Sequence, residues 1–127
     1  MGFWRKEVID FALDQETLHH IEQQRGWIER EPANPQPYYN LAQLYRTQGR
    51  QEEALGLLLH AVGLNGCFAD AHVALAEIYA VRANEGAAWL HARAAERHGN
   101  ARAVEMLARH GVPEQGRGQG SNVKPQD

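Results

Sequence analysis

The amino-acid sequence predicts an all-α fold in which pairs of helices repeat along the chain. An offset of 34 residues places five residues of one segment on identical residues of the next, and helix-pair repeats commonly have a period of about 34 residues. The coincident pairs are Leu41 and Leu75, Ala42 and Ala76, Tyr45 and Tyr79, Ala54 and Ala88, and Ala61 and Ala95. Three of these pairs are alanines, as a close crossing of two helices requires, since small side chains let helix backbones approach.

Residues 35–68 carry a specific pattern of large and small residues: Tyr38, Leu41, Ala42 and Tyr45 in a first helix, Gly49 in the turn, and Ala54, Leu58 and Ala61 in a second helix. This pattern resembles one tetratricopeptide repeat. The copy at 69–100 keeps the small residues but has His72 where the family favours Trp, and Ala83 where it favours the turn Gly. The resemblance implies a short right-handed solenoid of about seven helices, with the first helix of each pair lining the concave side.

Residues 1–34 are predicted to form two helices that make a degenerate repeat or an N-terminal cap. Trp4 and Phe11 stand in a helical apolar stripe, and a second helix is predicted from about residue 15 to residue 31, where Pro32 ends it. On the same 34-residue grid, His20 and Trp27 occupy positions where the family has small residues. The two helices are therefore predicted to lie further apart than those of a regular repeat.

The helices of the two repeats are bounded by turn and cap signals. Residues 35–68 are predicted to hold helices at about 36–48 and 51–64, with Gly49 as a left-handed cap. Residues 69–100 are predicted to hold helices at about 70–83 and 85–98, with Asp70 and Asn84 as N-caps.

The C-terminal part is predicted to be a capping helix and a tail. Residues 101–111 form one helix, and the run from Ala94 to Gly111 resembles the Sel1 variant of the repeat. On that alignment the last repeat is shortened by about two residues, so Leu107 corresponds to Leu75. Residues 112–127 are rich in Gly, Gln and Pro and are predicted to be a disordered tail.

Composition narrows the class of partner and the compartment. The formal net charge of −3 gives no strongly basic field, so neither nucleic acid nor an anionic membrane is the expected partner. The single cysteine, Cys67, is predicted to be a packed apolar residue, and one cysteine suits a reducing compartment. No apolar run approaches the roughly 20 residues of a membrane span, and the first residues lack a signal-peptide pattern. These features predict a cytoplasmic protein.

No catalytic, metal or cofactor site is predicted. The seven histidines include no pair at i and i+4, the spacing that places two ligands on one helical face. His72 is predicted to be a semi-buried packing residue. The sequence contains no Gly-rich phosphate loop and no nucleophile elbow in the required context. We therefore predict that the protein is not an enzyme and binds no cofactor.

The predicted function is that of an adaptor that binds a protein or peptide on the concave face, where stacked repeats form a continuous surface. The predicted concave-face residues are Gln36, Tyr39, Asn40, Gln43, Arg46, Thr47, Asp70, Val73, Glu77, Arg102 and Arg109. Tyr39 and Arg46 are the first candidates, because Tyr and Arg are enriched at recognition surfaces.

The best-defined binding mode of the family is not predicted here. That mode grips a terminal carboxylate with two Lys, two Asn and an Arg. In the two possible placements the five positions hold either Arg5, Ile9, Asn40, Asp70 and Ala74 or Tyr39, Gln43, Ala74, Arg102 and Met106. Neither set has the required positive charge.

Two alternatives to a peptide-binding adaptor stay open. The array could self-associate into a homo-oligomer through its ends, burying Trp4, Phe11 and Trp27 or Met106 and Leu107. A His-based metal site assembled between helices is the weaker alternative.

Overall fold

The chain folds into six helices over the residues that the computed structural model describes, which are 2–114 for the backbone and 14–114 for the side chains. The helices are α1 Gly2–Arg30, α2 Pro35–Thr47, α3 Gln51–Leu64, α4 Ala69–Val81, α5 Glu85–Arg97 and α6 Arg102–Arg109. No strand occurs among these residues, so the all-α prediction is confirmed. Each helix packs on the next, and α6 also contacts α4.

The N-terminal helix corrects the prediction for residues 1–34. The two helices expected there are one continuous helix, α1, so this segment is not a helix pair. The sequence around residue 14 contains neither Gly nor Pro, and nothing in it interrupts the backbone hydrogen bonds. α1 packs on α2 through Ile21, which is 3% exposed, and Arg25 Nη2 donates a hydrogen bond to the Tyr45 hydroxyl at 2.7 Å.

The repeated alanines lie at the helix crossings, as their pattern predicts. All six are 0% exposed: Ala42, Ala54 and Ala61 between α2 and α3, and Ala76, Ala88 and Ala95 between α4 and α5. A methyl group is the side chain that these crossings accommodate. A larger residue at any of them would force the helices apart, at a cost of about 1–3 kcal/mol in the free energy of unfolding.

The core has two parts that meet at α4. One cluster includes Ile21, Leu41 and Leu58 and runs from α1 to α4, whereas the other includes Trp89 and Leu107 and runs from α4 to α6. Seven of the 13 residues of α4 are buried, because it contributes to both clusters. α4 is the helix through which the two halves of the fold are joined.

The helix N-termini agree with the sequence at one predicted cap and differ at another. Asn84 Oδ1 accepts a hydrogen bond from the Ala87 backbone N–H at 3.2 Å, which confirms it as an N-cap. The prediction for Asp70 is wrong, since Phe68 occupies the N-cap position of α4 and offers no side-chain acceptor. Asp70 lies in the first turn, where Asn100 Nδ2 donates to its carboxylate at 3.1 Å.

The segment after α6 is partly ordered, contrary to the prediction of a tail from residue 112. The Trp89 indole N–H donates to the Val112 carbonyl at 3.1 Å. Arg93 donates to both carboxylate oxygens of Glu114, at 2.7 and 2.9 Å. Residues 112–114 are thus fixed on α5, and the remainder of the predicted tail, 115–127, lies outside the described residues.

Left-handed backbone ends three of the helices at glycine and one at alanine. Gly49, Gly99 and Gly111 have φ of 77°, 98° and 69°, and the cap predicted at Gly49 is confirmed. Ala83 has φ 60°, in the turn of the second repeat that corresponds to Gly49. A Cβ atom in this region costs about 1–2 kcal/mol. Ala83 is exposed, so no contact of its methyl group offsets that cost.

We expect Ala83→Gly to raise the free energy of unfolding by about 1 kcal/mol, because glycine adopts positive φ without strain. Urea unfolding followed by circular dichroism measures the change. Gly49→Ala is the matched control and should lower the stability by a similar amount, since the space beside Gly49 is open and only its backbone conformation is at stake. A destabilised Ala83→Gly variant would contradict this account.

Candidate functional site

The predicted concave-face residues lie on the first helix of each pair, α2 and α4, and on α6. Gln36, Thr47, Asp70, Arg102 and Arg109 are exposed. Half-buried positions are held by Tyr39, Asn40, Gln43, Arg46 and Glu77. The structure therefore leaves ten of the eleven at least partly accessible.

Val73 is the exception, and its assignment to a binding surface is wrong. It is 1% exposed and belongs to the core cluster that contains Ala103 and Leu107 of α6. The equivalent residue of the first repeat, Tyr39, stays half-buried. The difference arises because α6 packs directly on α4 and covers this position.

Charged groups from three helices surround Tyr39. Burial raises the pKa of the Tyr39 phenol above its ordinary value of 10.0, and the negative charge of Asp70 raises that pKa further. The charges of Arg102, Glu77 and Arg46 also act on the phenol. The Tyr39 cluster, as we call these five residues, thus brings α2, α4 and α6 together at one place.

An aromatic contact holds the Tyr39 ring. Its centroid lies 5.2 Å from that of Phe68, and the two rings are inclined by 45°. Phe68 precedes α4 and was not predicted as part of the site. Its proximity follows from the turn geometry between repeats, which the sequence pattern does not specify.

Arg46 connects α2 to α4 across this surface. Its Nη1 donates to Gln43 Oε1 at 3.2 Å and to Glu77 Oε1 at 3.1 Å. The side chains of Arg46 and Glu77 are 23% and 32% exposed, so the ion pair is only partly screened by water. The ion pair therefore fixes the orientation of both side chains in the absence of a bound partner.

A chain of amide side chains extends the surface towards α1. Gln36 Nε2 donates to Asn40 Oδ1 at 2.9 Å, and Asn40 Nδ2 donates to Gln24 Oε1 at 3.1 Å. Gln24 was not predicted at this surface, because its helix was predicted to be the second of an N-terminal pair and only first helices were expected to line the concave side. Primary amides both donate and accept, which suits them to contact peptide groups.

Equivalent positions along the face change in charge from helix to helix. Two such series run from an amide on α2, through a carboxylate on α4, to a guanidinium on α6: Gln36, Asp70 and Arg102, and Gln43, Glu77 and Arg109. Glu77 is paired with Arg46, and Asp70 accepts from Asn100. Arg102 and Arg109 make no side-chain hydrogen bond or ion pair with any residue in the described part of the chain.

Two histidines that are distant in sequence form a buried pair. His72 Nδ1 lies 3.0 Å from His91 Nδ1, and His72 Nε2 lies 2.9 Å from the Gly66 carbonyl. A carbonyl only accepts, so His72 Nε2 carries the proton and His72 Nδ1 accepts from His91 Nδ1–H. Tyr79 stacks on His91, with ring centroids 5.6 Å apart. His72 is buried rather than semi-buried, at 8% exposure.

The His72 contact repeats one made by Tyr38. The Tyr38 hydroxyl donates to the Pro32 carbonyl at 2.8 Å, and both members of that pair stand 34 residues before His72 and Gly66. The 34-residue grid was a signal that could have found this bond. It explains why histidine substitutes for an aromatic residue in the second repeat.

Neither the histidines nor the cysteine forms a metal centre in the part of the chain that the structure describes. No group of three or more His, Cys, Asp or Glu side chains there is placed to hold a metal ion. Cys67 is exposed, so its prediction as a packed residue is wrong. Its backbone N–H donates to Asn65 Oδ1 at 2.9 Å, in a turn that directs the side chain outwards.

Acid should destabilise the fold through His91. Burial, followed by the charge of His72, lowers the pKa of His91 from 6.5 to about 4. As the pH falls from 6.5 towards 4, the unfolded chain binds a proton that folded His91 does not. The free energy of unfolding therefore falls across this window. Urea midpoints at about pH 7.5, 6 and 5 measure this loss.

The matched variant His91→Phe keeps the ring stack on Tyr79 and removes the titration. We expect its stability to fall less steeply over the same pH range, while His98→Gln, at an exposed position, follows the parent. Parallel curves for His91→Phe and the parent would contradict the assignment.

Comparison with known families matches part of the chain. A family model described as tetratricopeptide repeat matches residues 26–56, which cover the end of α1, all of α2 and the start of α3. A search of curated proteins finds no match to the chain. The family match and the six helices show a tetratricopeptide-like helical-repeat fold. The Sel1 resemblance of the C-terminal run stays a prediction.

One further finding concerns membranes. Among the residues that the structure describes, no helix combines the length and the apolar character needed to span a bilayer.

Proposed function

We propose that this protein is an interaction adaptor that binds a peptide segment of a partner protein across α2, α4 and α6. The observation that carries the proposal is the Tyr39 cluster, in which four charged groups from three helices act on one accessible aromatic ring and Arg46 pairs with Glu77. Large rigid aromatic residues and arginines dominate the energetics of protein interfaces. The match to the tetratricopeptide repeat supports an interaction role over catalysis.

The mixed charge of the cluster bears on the kind of partner. The charges of two carboxylates and two guanidiniums act on Tyr39, so bulk attraction to a polyanion such as nucleic acid is not favoured. Such a surface selects a partner by the arrangement of its charges rather than by their sum. The exposed free thiol of Cys67 is consistent with a reducing compartment, and we propose that the protein acts in the cytoplasm.

The double variant Tyr39→Ala with Arg46→Glu tests the adaptor function. It removes the central ring and places a carboxylate opposite Glu77, so partners captured by the parent should be retained at least about tenfold less well. Affinity capture with quantitative mass spectrometry measures this. Leu90→Ala, at an exposed position on α5, is the control and should retain every partner. Full retention by the double variant, with a parent-like circular dichroism spectrum, would refute the proposal.

Self-association is a second candidate, and the length of α1 favours it. α1 has 29 residues and α2 has 13. Leu18 of α1 lines a surface cleft with Thr47 at the end of α2. The part of α1 before Leu18 therefore extends past α2, and its sequence carries the apolar stripe that includes Trp4 and Phe11.

Sedimentation velocity from micromolar to near-millimolar concentration tests self-association. If it occurs, the sedimentation coefficient should rise with concentration, and Phe11→Asp should abolish the rise because a charge cannot be buried unpaired in an apolar contact. Leu59→Asp, at an exposed position on α3, is the control. A strict monomer at every concentration would eliminate this candidate.

A further inference from the structure

The two junctions between successive first helices of the repeats are built from different side chains. Leu41, Leu75 and Leu107 are all buried, which fixes the correspondence of α2, α4 and α6. In this register Ala80 of α4 corresponds to Arg46 of α2, and Arg109 of α6 corresponds to Glu77 of α4. The pair that joins the first junction therefore has no counterpart at the second.

An ion pair spans the first junction. The Arg46 guanidinium reaches across to Glu77, and the cleft that Arg46, Ile78 and Val81 line has a volume of about 50 Å³. The long side chain of Arg46 thus occupies the position that a short residue holds at the second junction.

The second junction is open and apolar. Ala80 is too short to span it, and a groove of about 320 Å³ lies between the C-terminal ends of α4 and α6. Its lining consists of Ala80, Val81, Met106, Leu107, His110 and Val112. Val81, at 86% exposure, is the most exposed large apolar residue among the described side chains. An aliphatic side chain is of the size and polarity that such a groove would take.

The surroundings of the groove favour negative charge. Arg109 precedes the groove residue His110. Its equivalent, Glu77, forms an ion pair with Arg46, whereas Arg109 faces Ala80 in the same register and has no such pair. Arg102 lies two turns earlier on α6, with Glu105 between them, so the exposed face of α6 has a net positive charge. Neither arginine is paired within the described residues.

We propose that this groove anchors an aliphatic side chain of the partner peptide, and that Arg109 binds a carboxylate next to it. The groove takes a leucine-sized residue, and Asp or Glu stands next to it in the bound segment. This inference rests on the proposed adaptor function and names the chemistry of the segment that α6 recognises. The occupant is argued from the apolar lining together with the unpaired guanidinium.

Methionine NMR provides a local test, because the chain has only two methionines and Met106 lines the groove. The probe is the peptide acetyl-Gly-Ser-Leu-Glu-Ser-Gly-amide, added to the full chain labelled at the methionine methyl carbon. We expect a saturable shift of the Met106 methyl resonance. Probes with Gln for Glu or Ser for Leu should bind at least about fivefold more weakly, since each lacks one of the two contacts.

Variants of the protein separate the two contacts. Arg109→Glu should reverse the preference, so that a probe with Lys for Glu binds better than the original. Ala80→Arg should abolish the shift by filling the groove. Ala80→Arg with Arg109→Glu rebuilds the ion pair of the first junction, so it should be folded and equally unable to bind. Leu90→Ala is the control and should bind as the parent does.

Several results would overturn the inference. Equal binding of the Glu and Gln probes would exclude the carboxylate contact, and the absence of any saturable shift would exclude the groove. A Met106 resonance that moves on dilution of the protein would identify a second copy as the occupant. A resonance that ignores the probes but responds to Val123→Gly would identify the chain's own residues 115–127. If no probe binds while Tyr39→Ala still loses partners, only this inference fails; the adaptor proposal fails when capture is insensitive to Tyr39.

Discussion

Burial of α4 on two sides is the constraint on which the rest of the structure depends. The helix packs against α3 on one side and against α5 and α6 on the other, so seven of its residues are buried and three of those are alanine. Small residues on α4 let the neighbouring helices approach it closely. The consequence for recognition is that the charged side chains which α4 contributes to the surface are those of Asp70 and Glu77, both of them acids, while Val81 is exposed at its C-terminal end. Amides and guanidiniums on this surface come from α2 and α6.

As a result, the chemical character of the surface changes from α2 to α4 to α6. α2 presents an aromatic ring and amides, α4 carboxylates and α6 guanidiniums, so charge alternates on a scale of one helix spacing, about 8–10 Å. The net charge of the chain, −3, says nothing of this arrangement. Arg46 ties the first two helices together and neutralises Glu77, whereas the arginines of α6 stay available. A partner would therefore meet a paired charge between α2 and α4 and unpaired guanidiniums on α6.

The sequence predicted the elements that depend on local and periodic signals. Helix bounds from α2 onwards, the alanine crossings and the left-handed Gly49 follow from spacing, side-chain size and backbone freedom, which act within one repeat. The prediction for the first segment was wrong because its apolar spacing was divided between two helices, although no residue near position 14 breaks a helix. Apolar spacing indicates which side of a helix is buried, and only local residues such as Gly or Pro end the helix.

The candidate site was predictable in outline but not in its contacts. Polar residues on the first helices were identified by helical phase alone, which places a residue on a face. Phase could not show that α6 covers Val73 while leaving Tyr39 open, because that depends on packing between repeats. Gln24 and Phe68 were likewise invisible, since each reaches the face from outside the helices that line it.

The bond shared by Tyr38 and His72 changes what the aromatic position of this repeat means. The position is filled by a phenol in one copy and an imidazole in the other, yet each side chain donates to the carbonyl six residues upstream. The common requirement is a flat ring that carries a hydrogen-bond donor at its far edge, a description that also fits the indole favoured by the family. A phenylalanine would satisfy the packing and leave that carbonyl unpaired. In each repeat a ring side chain on the first helix is thus hydrogen-bonded to the loop that precedes that helix. The type of ring can change, whereas the distance between its donor atom and that carbonyl cannot.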